Sequence, residues 1–422
     1  MKILDEIRAV VRHRYARQFS LLFTANVAVA VVSFFSNLLI NNHLSELEYG
    51  TYRYATNFLQ LGMNAVTLGL PYSAARLLAL EQDRERQRRI MGATYALMGL
   101  ACVAGLLLTW AIYFGAPLFG LKGLDGILVV APLFLYITVL EYVISNLCTG
   151  ANNIRLLSSQ LAMPVSLVLI FTAVQVYILK SYGLWQALAA FAISHTVIIA
   201  VGIRRLRPSM KALRAHIAAV VHENRTTGLP VYFGQLLGVV SVQLISLMIP
   251  AFVGMKNYAQ YALAYSISAP LALVASTLGT VIFRSSADAG RLPRKVVLYS
   301  FGGCAALAAV YVLLIRILIF WLFGERYLPA APMAQVMGVG ALMVGLGDIL
   351  NRYLGANGRG RMLLTGAAVT GIVAVASAAA LLPSFGAMGA SISRGVANAA
   401  YLASMIALYK LRNAKIRIMG GR

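Results

Sequence analysis

Apolar stretches of about 20 residues follow one another along the whole chain, each long enough to cross a bilayer as a helix. Short polar loops separate them. The pattern predicts twelve spans, at 19–41, 51–77, 91–114, 126–148, 155–179, 184–203, 228–252, 258–283, 296–322, 331–354, 362–383 and 387–409. No segment between them is long enough to fold as a soluble domain. The expectation is an all-α polytopic membrane protein.

The second half of the pattern repeats the first. Gly150-Ala151-Asn152-Asn153 returns as Gly355-Ala356-Asn357-Gly358, Leu118-Phe119-Gly120 as Leu322-Phe323-Gly324, and Tyr52-Arg53-Tyr54-Ala55 as Tyr261-Ala262-Leu263-Ala264. The stretch from Arg17 to Ile40 lines up with that from Arg225 to Ile249. Each copy holds an even number of spans, so both cross the bilayer in the same sense. Parallel repeats of this kind are a plan used by secondary transporters, which load substrate at the repeat interface.

The organisation expected from this is a lobe of six helices at 19–203 and a second at 228–409. A linker at 204–227 joins them. Pro208 and Ser209 open a predicted surface helix there, with Met210, Leu213, Ile217 and Val220 at helical spacing. Residues 1–18 are basic and amphipathic, with Ile3, Leu4, Ile7, Val10 and Val11 on one face. They are expected to lie on the inner leaflet, not to act as a cleavable signal. A basic tail, 410–422, ends the chain.

Composition agrees: 60% of the 422 residues are hydrophobic and 12% charged, against about 25% charged in soluble domains. The net charge of +23 first suggests nucleic acid. Its distribution argues otherwise. With both termini cytoplasmic, only Arg53, Lys122, Lys180, Lys256 and Arg326 fall in outward segments. That asymmetry is the positive-inside rule, and no nucleic-acid partner is expected. Cys102, Cys148 and Cys304 form no C-x-x-C pair and read as small packing residues. There is no phosphate-binding G-x-x-x-x-G-K-[ST], no H-E-x-x-H and no G-x-S-x-G. The chain is therefore expected to be no enzyme and to hold no cofactor or metal. A proton or sodium gradient is a compatible energy source.

Polar residues inside the spans mark a candidate route. Arg53, Asn57, Gln60, Asn64 and Thr67 of span two lie along one helical face. So do Asn26, Ser33 and Asn37 of span one; span seven offers a looser set, Gln235, Gln243 and Ser246. Such faces line water or substrate, or hydrogen-bond to neighbouring helices. Deeper charges are Glu141, Arg316, Asp348 with Arg352 four residues on, and Arg394. Each costs roughly 2.5–3.5 kcal/mol at the bilayer centre, so each should pair or face water. Asp348 and Arg352 are spaced to pair, while Arg316 and Arg352 are near enough to span ends to snorkel. His195 in span six is a packing histidine or a proton-handling one.

Four segments carry a resemblance: Leu44 to Tyr52 (LSELEYGTY), Leu68-Gly69-Leu70-Pro71, Leu322 to Tyr327 (LFGERY) and Phe385 to Ser393 (FGAMGASIS). In this order, and with the repeat, the chain resembles the polysaccharide transporter family that includes the Wzx-type O-antigen flippases. The resemblance implies a MATE/MOP-type fold, two six-helix lobes facing each other across a central V-shaped cavity. It implies transport of an undecaprenyl-pyrophosphate-linked oligosaccharide from the cytoplasmic to the periplasmic leaflet of a bacterial inner membrane. Twelve spans, not fourteen, argue against the lipid II flippase branch. Membrane lipids and other polysaccharide-assembly membrane proteins are the partners it suggests. An exporter of organic cations on the same fold, or a non-transporting scaffold, stands as the alternative.

Within that frame Arg53, Arg316 and Arg394 outnumber Glu141 and Asp348 in the candidate cavity. A cationic excess suits a pyrophosphate, which arginine grips through charge-assisted, often bidentate hydrogen bonds. Glu141, Asp348 and Arg352 are then candidates for charge balance or for carrying a coupling ion. Tyr49, Tyr52 and Tyr54 are placed to stack on sugars or to anchor the membrane interface.

Overall fold

A computed structural model describes residues 14–115, 131–287, 294–356 and 360–419. The predicted inner-leaflet segment 1–18 therefore lies largely outside the described residues, as does most of the loop carrying Leu118-Phe119-Gly120. Among the described residues every regular element is helical. The chain divides into two compact units, Met1–Phe233 and Gly234–Arg422.

In the first unit α1 spans Arg14–His43, α2 Glu46–Thr67, α3 Leu70–Leu80 and α4 Arg84–Gly115. A short turn, Ala131–Phe134, leads into α5, Leu135–Gly150. Helix α6, Ile154–Ala173, continues as a wider turn to Ile178; α7 is Leu184–Leu206 and α8 Leu213–Glu223. α5 is the central helix, packed against α2, α3, α4, α6 and α7. The core there is formed by Leu59, Met63, Ala74, Leu78, Met98, Ile137, Ile144 and Leu147, all buried.

Helix α2 starts on a reciprocal cap. Ser45 Oγ accepts from the Glu48 amide at 3.2 Å, and the Glu48 carboxylate accepts from the Ser45 amide at 3.0 Å, which satisfies two orphan donors. The same carboxylate accepts from the Leu184 amide, tying the start of α2 to the start of α7.

Span two is not the single helix 51–77 expected from hydropathy. It breaks at Leu68 and Gly69, both left-handed (φ 45° and 77°), and restarts at Leu70 with Pro71 in the first turn. The break is set by a remote strand of chain. A Cβ on Gly69 would lie 2.5 Å from the carbonyl oxygen of Gly228, so the two backbones touch where they cross. Asn224 fastens the crossing, donating to Leu68 O at 3.1 Å and accepting from Ser73 Oγ at 3.0 Å. Arg76 adds bonds to Glu223 (2.6 Å) and Thr227.

The linker helix also departs from expectation: it begins at Leu213, not at Pro208. The backbone before it is used elsewhere. The Ser209 amide donates to Arg88 O at 2.8 Å, and the Arg88 guanidinium donates to Arg207 O at 2.7 Å. Those bonds dock the segment on α4 and leave Met210 exposed and off the helix.

In the second unit α9, Leu229–Ala287, is interrupted at Gly254 (φ 79°). α10 spans Arg294–Phe323 and α11 Ala330–Ala356; α12, Gly360–Met419, is interrupted at Gly386 (φ 56°). Single glycines thus separate the paired spans within α9 and α12. α11 packs along both α10 and α12. Cys304, Leu342, Leu346 and Ile349 form its core.

Eight helices among the described residues are long and apolar enough to cross a membrane. The last, Thr365–Leu411, contains the bend at Gly386 and so holds two of the predicted spans. α2 is not among them, because the polar stripe lowers its hydropathy. Exposed Leu107, Leu108, Leu313, Trp321 and Ile372 give the units the apolar exterior of a multi-pass membrane protein. The three cysteines are free thiols.

Candidate functional site

Helix α2 has two faces. Tyr49, Tyr52, Ala55, Leu59, Met63 and Thr67 are buried in the first unit. Arg53, Asn57 and Asn64 are half-buried and Gln60 is exposed. At 3.6 residues per turn this stripe is rotated about a third of a turn from the core face. The stripe thus lies beside the buried core face of the first unit and is not part of it. Asn64 donates to Gln60 O at 2.9 Å, within its own helix.

On α1, Asn26 is exposed. Asn37 instead accepts from the hydroxyl of Tyr49 at 3.4 Å, an ordinary bond between helices. Tyr49 and Tyr52 are 0% and 6% exposed. They are neither a sugar platform nor interface anchors, but core residues; Tyr54 is half-buried. Of the second-repeat set, the side chain of Gln235 lies outside the described residues. Gln243 is half-buried, and Ser246 is buried against the Tyr261 hydroxyl at 3.3 Å.

Glu141 and His195 meet. Glu141 sits midway along α5 and His195 midway along α7, and the carboxylate lies 2.6 Å from His195 Nδ1. The imidazole stacks at a tilt on Phe191, ring centres 4.2 Å apart. One turn away the Tyr136 hydroxyl bonds Thr196 at 2.8 Å. Glu141 thus has an imidazole partner, not one of the arginines expected to balance it.

In the second unit Asp348 of α11 accepts from the Tyr401 hydroxyl at 2.9 Å, and Asn351 donates to the same hydroxyl at 2.7 Å. Gly347 makes room for this. A Cβ there would lie 2.6 Å from the Tyr401 ring. The side chain of Arg352, the partner expected from spacing, falls outside the described residues.

Arg394, on the second half of α12, projects onto two tyrosines of α9. Its guanidinium lies 4.0 Å from the centre of the Tyr265 ring and donates to the Tyr261 hydroxyl at 3.4 Å. Tyr261 in turn stacks on Tyr258. Among the described residues Arg394 joins no salt bridge. A cation–π contact and a phenol hold the group in place but leave its charge unneutralised. Arg316 is different. It is exposed on α10, on one face with exposed Leu313, Ile317 and Phe320, the setting of an arginine whose stem lies along apolar surface.

Two groups were missed by reasoning from sequence: His195 as the partner of Glu141, and the tyrosines around Arg394. The second had a signal. Tyr258, Tyr261 and Tyr265 recur at i, i+3 and i+7, one aromatic face. The first had none, because the pair is separated by 54 residues.

The fold is shared with solved membrane transporters. An inward-facing MATE-family multidrug resistance transporter of the MOP superfamily superposes with a TM-score of 0.73 at 14% identity, covering 92% of this chain and 95% of that one. The lipid II flippase MurJ in an inward closed conformation gives 0.75 at 14%, covering 92% and 87%. A MOP superfamily transporter from Pyrococcus furiosus, described as having a binding pocket of reversed polarity, gives 0.60 at 16%, covering 97% and 98%. The architecture is therefore the MATE/MOP fold. No curated protein sequence matches significantly. A profile described as "Polysaccharide biosynthesis protein" does match, over residues 15–284. That is more than half of the chain, and with the fold it places the chain in the polysaccharide biosynthesis protein family.

Proposed function

We propose that this protein is a flippase that moves an undecaprenyl-pyrophosphate-linked oligosaccharide, the repeat unit of O-antigen or another surface polysaccharide. The direction is from the cytoplasmic to the periplasmic leaflet of a bacterial inner membrane, by alternating access. The protein acts as a transporter and catalyses no covalent step. Family membership supports the link to polysaccharide, and the fold supports transport.

The observation that carries the substrate class is Arg394. A guanidinium that joins no salt bridge among the described residues and is steadied by Tyr261 and Tyr265 is a ready partner for an anion. Pyrophosphate offers the oxygens for charge-assisted bonds on its free edge. Within the first unit, Arg53 at one end of the α2 stripe is a further candidate cation in this reading, and the amides Asn57, Gln60 and Asn64 suit sugar hydroxyls. Arg316 has a smaller part in this reading, given its apolar surroundings.

The test is ligand stabilisation of the purified protein in nanodiscs. Undecaprenyl pyrophosphate should raise the unfolding temperature, and undecaprenyl monophosphate should raise it less. Arg394→Ala should lose about tenfold or more in apparent affinity, the scale of one hydrogen bond to a charged group. Arg394→Lys should recover part, because it keeps charge but not the two-pronged geometry. Arg316→Ala should bind as the wild type does. Equal affinity in the wild type and Arg394→Ala sinks the assignment.

A further inference from the structure

We infer that Glu141 and His195 form a proton-binding site inside the first unit, and that its loading and unloading drives the flippase cycle. The coupling half of this inference rests on the flippase reading; the proton site does not.

Among the described residues of the helices packed on α5, the other charges lie toward the helix ends. Helices α2, α3, α4, α6 and α7 pack against α5. Their remaining Asp, Glu, Lys, Arg and His residues are Glu46, Glu48 and Arg53 in the outer third of α2, Arg76 in α3, Arg84, Glu85, Arg86, Arg88 and Arg89 at the start of α4, Arg155 at the start of α6, and Arg204 and Arg205 at the end of α7. α5 itself adds only Tyr136, Tyr142 and Cys148, and Tyr95 and Cys102 come from α4. None of these phenols and thiols offsets a carboxylate. So among the described residues of these helices no Lys or Arg lies at the level of Glu141. The group that faces it is an imidazole, the side-chain type suited to taking up and releasing a proton.

The geometry suits exchange more than storage. The Glu141 side chain is 27% exposed and that of His195 13%, so a proton can arrive at the carboxylate side while Phe191 covers the ring. A purely structural bond between α5 and α7 needs neither charge. Tyr136 and Thr196 make such a bond one turn away with hydroxyls alone. The step balances simply. A carboxylate beside a neutral imidazole carries one negative charge. Taking one proton from water makes the pair neutral overall, whichever group holds it, and releasing it restores the charge. An imidazole also argues for a proton over a sodium ion, since hard cations are held by oxygen ligands.

Infrared titration of purified protein in nanodiscs tests the site without substrate. A protonation change of the pair, read as a carboxyl band or as imidazole ring bands on acidification between about pH 8 and pH 5, the span over which histidine switches, should be lost or displaced in Glu141→Gln. In His195→Gln, which keeps a hydrogen-bond donor, its midpoint should move by about one pH unit or more, as loss of a nearby charge requires. A wild-type spectrum with no such change, or one unaltered in His195→Gln, overturns the proton site. Coupling is read separately, from polysaccharide display at external pH values across the same range, with membrane abundance measured. Both variants should lose the pH dependence shown by the wild type, and full, unaltered display would overturn the coupling. If undecaprenyl pyrophosphate fails to bind the wild type while the pair titrates as expected, the proton site stands and only the substrate reading falls.

Discussion

Glu48 shows how much one side chain can hold at the end of a membrane helix. Its carboxylate accepts from the Ser45 hydroxyl, the Ser45 amide and the Leu184 amide, and the bonds from Ser45, the hydroxyl first, hold its pKa below the usual 4.5. A depressed folded pKa contributes stability that is complete above the unfolded value and is lost as pH falls through the folded one. Glu48→Gln should therefore unfold more easily than the wild type at pH 7, by about 1 kcal/mol on the scale of helix caps. The gap should close at strongly acid pH. Thermal unfolding in detergent at both pH values measures it, and a gap that does not change with pH would show that the carboxylate's charge has no part. The intramembrane charges teach the complementary lesson. Each was visible in the sequence as an expensive residue that must find a partner, but the partner was not. For Asp348 spacing suggested Arg352, whose side chain lies outside the described residues, and gave no sign of the Tyr401 hydroxyl that Asp348 meets.

At the scale of elements, α2 is the informative helix. Its periodicity separated the polar stripe from the core face as far as Asn64, because side-chain direction along a helix is a local property; Thr67, expected on the stripe, is buried with the core residues at the end of the helix. The same periodicity ran through Leu68 and Gly69 without registering a break. That break depends on Gly228, far along the chain, whose carbonyl occupies the place of a side chain at Gly69. The linker helix misled for a similar reason, since its first predicted turn is spent on hydrogen bonds to α4. If the stripe lines a water-filled route, single cysteines at Asn57, Gln60 and Asn64 should react with a membrane-impermeant thiol reagent in a background lacking Cys102, Cys148 and Cys304. Cysteines at Leu59 and Met63, buried in the core, should react at least tenfold more slowly. Uniform protection along α2 would mean that the stripe is covered by packed helix.

For the whole molecule, the even span count and the lopsided distribution of Lys and Arg predict that both termini are cytoplasmic. Fusing alkaline phosphatase or a fluorescent protein to either end checks this. Phosphatase should be inactive and fluorescence strong at both. An active phosphatase at one end would require an odd number of crossings and would break the correspondence between the repeats.

Span number, the internal repeat and the membrane class were determined by sequence alone. They follow from the length of apolar runs and the sign of loop charge, and both are fixed residue by residue along one dimension. The same holds for the cost of each buried charge. Tertiary structure decided which of those charges meet. Glu141 found His195 on another helix, Arg394 found Tyr261 and Tyr265, and Tyr49 and Tyr52 turned into the core instead of toward a substrate. A carboxylate's or guanidinium's role depends on atoms within a few ångströms, and here those atoms come from segments dozens of residues away. Only the packing of helices brings them together.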